Sequence, residues 1–260
     1  MREALLGPDE GHPVIHVNEK GKAPFVIICE HAGRIIPKSL GNLGLAEAEL
    51  TRHIAWDIGA EGLSRKLSAA LDAPLVLQRY SRLVYDCNRP PEHAGAMAEV
   101  SETTPIPGNQ GLSAAERQLR ADALYYPFHQ AVRAVMDRKI AEDPQVMLVT
   151  IHSFTPIFKG EARAVELGLL HDADARVAQL LLQLTREQSP QTDVRINEPY
   201  KPQDGVAHTV NLHGDGRGIA SIMLEVRNDL IAEAEGQAAW AEQLADRLRQ
   251  AQKMLAANSL

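Results

Sequence analysis

Cysteine is scarce in this chain: Cys29 and Cys87 are the only two among 260 residues, and neither sits in a C-x-x-C pair. That excludes a disulfide scaffold and fits a reducing compartment. Basic clusters are missing as well. The 27 Lys and Arg residues form no run, and 34 Asp and Glu leave a net charge of −7, which argues against a nucleic-acid partner because phosphate binding needs clustered cations. An acidic protein can still hold a locally positive pocket, so a small anionic substrate stays open. No uninterrupted apolar span reaches membrane length, and the opening MREALLGPDEGHP carries acids and Pro where a signal peptide needs an apolar core. We therefore expect a soluble, cytoplasmic protein without a membrane partner, a monomer or small homo-oligomer. No repeat or low-complexity tract divides the chain, and its length suits one domain over 1–260 with a large core.

What is present is a series of short apolar runs that end abruptly in polar groups. The strongest is Val146–Pro156, VMLVTIHSFTP, a buried strand that delivers His152. Pro24–Cys29 is a similar strand running into Glu30-His31-Ala32-Gly33. Ile219–Val226 carries Glu225 near its end, and a second apolar fragment, Leu83–Tyr85, leads into Asp86-Cys87-Asn88-Arg89. Further strands are expected at Leu75–Gln78, Ala164–Leu170 and Val194–Ile196. Helical spacing predicts helices over Ile54–Leu71, Ala173–Glu187 and Ala232–Ala257. A capping box, Ser113-Ala-Ala-Glu116, opens another that runs to about Ala141. Residues 91–111 have no period and read as a long excursion, either an active-site lid or a disordered loop. Alternating strands and helices predict a three-layer α/β/α fold around a mixed, mostly parallel sheet.

Parallel strands end along one edge of a sheet, so Glu30-His31, Asn88-Arg89, His152 and Glu225 can meet in one crevice. Two imidazoles, His31 and His152, with a carboxylate are what zinc asks for, and a further carboxylate beside them acts as base. Glu225 suits the base, because an unpaired carboxylate inside an apolar run must meet a metal, a cation or a proton. Each residue also has a plainer reading. His152 can cap its strand, Asp57 can cap the helix over Ile58–Leu71, and Arg89 can pair with Asp86. Arg89, Arg79 and Arg82 each present the planar fork that clamps a carboxylate. His213, in NLHGDGRG, fits a plain turn as well as a carbonyl-polarising role, and His129 reads as packing. Cys29 abuts Glu30 and reads as a small buried hydrophobe rather than a nucleophile.

Six segments in order, CEHAGRIIP at 29–37, HIAWDIGA at 53–60, YSRLVYDCNRPP at 80–91, TIHSFTP at 150–156, EPYKPQDGVAHTVNLHG at 198–214 and IMLEVRNDLI at 222–231, resemble the N-formylglutamate amidohydrolase family. More distantly, I-H-S-F and N-R are similar to segments of zinc carboxypeptidases, which implies a carboxypeptidase-like hydrolase fold. The resemblance implies that His152 binds metal, Asn88 and Arg89 hold a substrate carboxylate and Glu225 activates water. The carboxypeptidase first-ligand motif H-x-x-E is replaced by His31-Ala-Gly-Arg34. Asp57 is the first choice for the third ligand, and Glu30 the second. The implied reaction is zinc-dependent hydrolysis of N-formyl-L-glutamate to formate and L-glutamate, with one ion per chain. Arg79 or Arg82 would hold a second carboxylate, and an arginine would steady the oxyanion. The alternatives are a related zinc amidase or carboxypeptidase with another substrate, and a non-catalytic dicarboxylate-binding module.

Overall fold

A computed structural model describes residues 4–201 and 204–257; residues 202–203 of the 198–214 segment lie outside them. Seven strands form one sheet: β1 (Val14–Val17), β2 (Phe25–Cys29), β3 (Leu75–Gln78), β4 (Met147–Phe154), β5 (Leu167–Leu170), β6 (Val194–Ile196) and β7 (Ser221–Arg227). Their spatial order is β1-β3-β2-β4-β7-β5-β6. The central β3, β2, β4 and β7 are mutually parallel, β1 runs antiparallel to β3, and β5 turns antiparallel to β7 while pairing parallel with β6. The sheet is therefore mixed and mostly parallel, as the alternation of elements predicts.

Alternation along the strands divides the core into two layers. Ile27, Val149, Ile151 and Leu224 face helices α1 (Ala60–Leu71), α4 (Arg176–Gln188) and α6 (Ala234–Ala257). Val26, Ile28, Val76 and Leu148 face the other way, against Phe128, Val132 and Met136 of α3 (Tyr126–Glu142). Strands buried on both faces need continuous apolar runs, which is why β2 and β4 are so legible in sequence. The capping-box helix α2 (Ala114–Arg120) joins α3 through a π-helical turn at Ala121–Tyr125, where Tyr126 N–H bonds to Ala121 O. Pro127 has no N–H for the α-helical ladder and its ring crowds the preceding turn, so the wider turn just before it relieves both problems. Among the described residues no helix is long and apolar enough to cross a membrane.

Several local expectations change. Leu83–Tyr85 is not a strand but a buried turn segment packed in the second core layer; burial accounts for its apolar run, and no neighbouring strand is available to pair with it. Helix α1 begins at Ala60, leaving Ile54–Gly59 as turns. A six-residue helix, α5 (His208–His213), forms where a plain turn was one reading. Within 91–111 two 3₁₀ turns and a small hairpin, Val100–Ser101 with Thr104–Pro105, are ordered.

The topology prepares a crevice. The chain leaves β2 for β3 on one side, while β4 lies on the other, so the carboxyl ends of β2 and β4 flank a point where strand order reverses, the usual place for a ligand in such sheets.

Leu67 is fully buried between α1 and the sheet. Leu67→Ala should lower unfolding free energy by about 2–5 kcal/mol, whereas Ile157→Ala, at an exposed hairpin position, should change it by less than about 0.5 kcal/mol. Urea denaturation followed by circular dichroism measures both.

Candidate active site

His31 lies two residues beyond β2 and is held there by the backbone. Its carbonyl accepts from Asp57 N–H at 3.0 Å, and Gly33 N–H donates to Gln78 O at 3.0 Å. A Cβ on Gly33 would come within 1.7 Å of Arg79 O, so only glycine lets the turn press this closely on the end of β3. His152 stands inside β4, which runs on to Phe154 rather than ending at the histidine. It pairs in register with Glu225 on the parallel neighbour β7, and directly paired residues of adjacent strands point to the same sheet face. Asp57 is no helix cap. Gly59, with φ of 80°, occupies the cap position of α1 without any side-chain cap bond, which leaves the Asp57 carboxylate free to turn inward.

These side chains converge on one point. His152 Nδ1 lies 3.0 Å from Asp57 Oδ2, His31 Nδ1 lies 3.3 Å from the same oxygen, and the two Nδ1 atoms are 3.2 Å apart. All three residues are buried. The far nitrogen of each ring faces a further carboxylate. His31 Nε2 is 2.8 Å from Asp86 Oδ1, and His152 Nε2 is 3.1 Å from Glu30 Oε2, close enough for an ion pair although misaligned for a good hydrogen bond. Carboxylates on Nε2 put the proton there and leave the Nδ1 lone pairs aimed at the common point, the arrangement in which histidines serve as metal ligands. The Arg82 guanidinium, which can only donate, lies 3.2 Å from His31 Nδ1 and agrees with that tautomer. A tetrahedral ion with bonds of about 2.0–2.1 Å keeps neighbouring ligand atoms roughly 3.3 Å apart, so the donor set fits a zinc-class cation.

The electrostatics agree. Burial alone would raise the carboxyl pKa values, yet His152 and His31 hold Glu30 at about 2, His31 and His152 hold Asp57 well below the carboxylate range, and Arg82 and His31 do the same for Asp86. Three ionised carboxylates thus surround two imidazoles, and among the described residues Arg82 is the one permanent cation that forms ion pairs with them. Burial opposes a charge on either histidine, but Asp86 and Asp57 raise His31, and Glu30 and Asp57 raise His152. The carboxylates thus call for positive charge at the two rings, which protons on the rings can supply and which a divalent ion would supply instead while both rings stay neutral. Glu225 behaves oppositely. Burial pushes its carboxyl up to about 7 against the pull of His152, with Asp57 adding to the rise, and Oε2 has no hydrogen-bond partner among the described residues.

The cluster opens into a cavity of about 470 Å³ lined by His31, Asp57, Arg82, Asn88, Arg89, His152 and Glu225, and also by Ser101, Glu102, Arg163 and Tyr200. Part of 91–111 thus forms pocket wall. Other expectations are corrected. Arg79 points elsewhere, its Nε donating to His12 O at 2.8 Å, and it lines a different surface depression. His213 is buried and bonded at 2.9 Å to His129, whose other nitrogen reaches Cys87 O, away from the cavity. Glu30 stands behind His152 rather than among the donor atoms, because strand alternation turns it toward that ring. Asn88 borders the cavity, but its side chain is engaged: Oδ1 accepts from Thr209 N–H at 2.9 Å and Nδ2 donates to Val206 O, tying down the segment that leads into α5. Asp86 pairs with His31 and Arg82 rather than through the Arg89 side chain, which donates to Asn88 O. Burial holds the Cys29 thiol well above its usual pKa, with Asp57 and Glu30 adding to this, so it stays protonated. Arg34, in the position of the expected carboxylate, stacks on Trp56 outside the cavity.

The roles of Asp86 and Glu30 behind the rings, and the presence of Arg163 and Tyr200 in the wall, were not foreseen from sequence. Adjacency to a strand-end histidine was the available signal for Glu30. Tyr200 lies in the 198–214 segment that carries the family resemblance, and Arg163 carries no such signal.

The chain resembles known proteins along most of its length. A sequence model of the N-formylglutamate amidohydrolase family matches residues 23–232. An N-formylglutamate deformylase of Pseudomonas putida is 26% identical over 243 residues, 87% of this chain and 88% of its own. Among solved structures, a gene product of Agrobacterium tumefaciens superposes with a TM-score of 0.93 at 45% identity, covering 96% of this chain and 99% of the other. An N-formylglutamate amidohydrolase from Ralstonia eutropha JMP134 shares the fold, with a TM-score of 0.67 at 22% identity over 93% and 97% of the two chains. With the match spanning both strand-end histidines, Asp57 and Glu225, this chain belongs to the N-formylglutamate amidohydrolase family.

Proposed function

We propose that this protein hydrolyses the amide of N-formyl-L-glutamate, releasing formate and L-glutamate, with a zinc-class divalent ion held by His31, Asp57 and His152. The observation that carries the reading is the convergence of three buried donor atoms, both rings backed by carboxylates, beside a buried Glu225 whose Oε2 has no hydrogen-bond partner among the described residues. The Pseudomonas putida relative named N-formylglutamate deformylase supports the choice of substrate.

When bound, such an ion polarises a carbonyl and lowers the pKa of water towards about 7. The chain's own residues supply the rest. Glu225 removes the proton from the attacking water and returns it to the leaving amine, a transfer worth roughly 10²–10⁴ in rate. Arg82, whose guanidinium lies 3.5 Å from Asp57 Oδ1 and 2.5 Å from Asp86 Oδ2, is fixed at the rim of the cluster. From there it stabilises negative charge on the tetrahedral oxygen. Arg89 receives one substrate carboxylate, and Asn88 keeps the 206–209 backbone folded against the cavity.

Protein purified without added metal should contain about one equivalent of zinc or a similar ion per chain, and His152→Ala should lose it. Elemental analysis with and without chelator decides this: activity that survives chelation in protein holding less than about a tenth of an equivalent would end the metal claim. A chain that binds glutarate but releases no formate from any N-formyl amino acid would be the non-catalytic module.

Glu225→Gln should lower kcat by about 10²–10⁴ while leaving the metal content unchanged. A base with a raised pKa is active only when deprotonated, so kcat/KM should fall tenfold per pH unit on the acid side of a limb at or below pH 7, because a bound cation draws the Glu225 pKa down from about 7. Near-normal formate release by Glu225→Gln would assign the base elsewhere.

A further inference from the structure

One arginine of the cavity wall, Arg163, combines the lack of an ion-pair partner among the described residues with an unusual amount of support. Arg163 follows the hairpin formed by Ile157–Phe158 and Glu161–Ala162. Its guanidinium carbon lies 4.4 Å from the Phe158 ring centroid, 5.1 Å from Tyr200 and 5.7 Å from Phe154, and its only side-chain hydrogen bond among the described residues goes from Nη1 to the Tyr200 hydroxyl at 3.3 Å. No carboxylate among the described residues makes an ion pair with it. A guanidinium carries five N–H donors, so most of them stay available, while aromatic faces fix the plane of the fork at little entropic cost. A preoriented fork of this kind binds a carboxylate in bidentate fashion.

The other cavity arginines are differently placed. Arg82 is occupied by Asp57 and Asp86, and Arg79 is outside. Among the described residues, Arg89 and Arg163 are therefore the two cavity arginines without ion-pair partners, one for each carboxylate of a dicarboxylate. The spacing along β4 is also informative. Phe154 lies two residues beyond His152 on the same sheet face, a step of about 6.6–7 Å. In an extended N-formylglutamate five bonds separate the formyl carbon from the distal carboxyl carbon, about 6 Å. We infer that Arg163, clamped by Phe154, Phe158 and Tyr200, is the specificity-determining residue that grips the side-chain carboxylate of the substrate, while Arg89 takes the α-carboxylate. This rests on the N-formyl-amino-acid reading of the cavity and names what selects the acidic side chain.

Arg163→Met keeps an unbranched apolar stem beside the rings but removes the charge and the fork. Relative to wild type, kcat/KM for N-formyl-L-glutamate should fall about a hundredfold, mostly through KM, the scale expected for a charge-assisted pair. The value for N-formyl-L-glutamine should stay within about threefold, since a neutral amide gains little from the charge. Arg163→Lys, which keeps the charge without the planar fork, should recover part of the preference. A second arm does not depend on turnover. By calorimetry wild type should bind glutarate at least about tenfold more tightly than butyrate, and Arg163→Met should bring the two together. An Arg163→Met variant that lowers glutamate and glutamine substrates equally, or that leaves the glutarate-to-butyrate ratio unchanged, would overturn the assignment. Absence of wild-type turnover on every N-formyl amino acid would instead defeat the functional reading, with the glutarate comparison still deciding the role of Arg163.

Discussion

A concentration of buried negative charge around two imidazoles is the constraint on which the rest of this structure depends. Glu30, Asp57 and Asp86 are all but inaccessible to solvent, and ionised carboxylates are tolerated in such a place only when cations and hydrogen bonds surround them. Arg82 supplies one positive charge and two hydrogen-bonding arms. The histidines supply the remainder, either by holding protons or by sharing a cation between their Nδ1 atoms. Glu225 lies beside the same cluster, and burial, with Asp57 adding to it against the pull of His152, pushes its carboxyl up to about 7. Burial and charge at one place thus yield both a cation-binding centre and a carboxyl of base strength suited to neutral pH.

The fold makes that arrangement affordable. His31 and His152 come from β2 and β4, adjacent parallel strands separated in sequence by a long crossover, and Glu225 comes from β7 on the other side of β4. Their strands are buried on both faces, so the backbone beneath the cluster is rigid. Asp57 is brought in by a turn anchored on the His31 carbonyl and on Ser153, whose amide donates to Asp57 Oδ2 and whose hydroxyl donates to Ile58 O. The less regular elements, the hairpins near residues 102 and 158 and the segment before α5, form the cavity wall. Glu102 links the two hairpins by accepting from Lys159 N–H at 3.1 Å. Rigid strands therefore place the reacting groups, and loops shape what can approach them.

Legibility in the sequence followed the same division. His31, His152 and Glu225 were visible because a polar residue within or just after a long apolar run has no hydrophobic reason to be there, although β4 and β7 run on past His152 and Glu225. Leu83–Tyr85 misled because a buried turn and a buried strand share the same apolar signature. Asp57 was visible as a candidate only through its place before a helix, and the plain reading as a cap failed for a local reason: Gly59 takes the cap position. His213 and Arg79 sat in suggestive surroundings, glycines for one and a second arginine for the other, yet their partners turned out to be His129 and a backbone carbonyl.

The sequence by itself determined the layered α/β class, the apolar strands and the residue types offered at their ends, because burial on two faces and the cost of stranded polar groups act residue by residue along the chain. Only the tertiary structure decided which carboxylate joins the two imidazoles, which carboxylates stand behind them, and which arginines are spent on ion pairs and which are left for a ligand. Those are distances between groups tens to more than a hundred residues apart, fixed by strand order and loop path, and a one-dimensional pattern contains no measure of them.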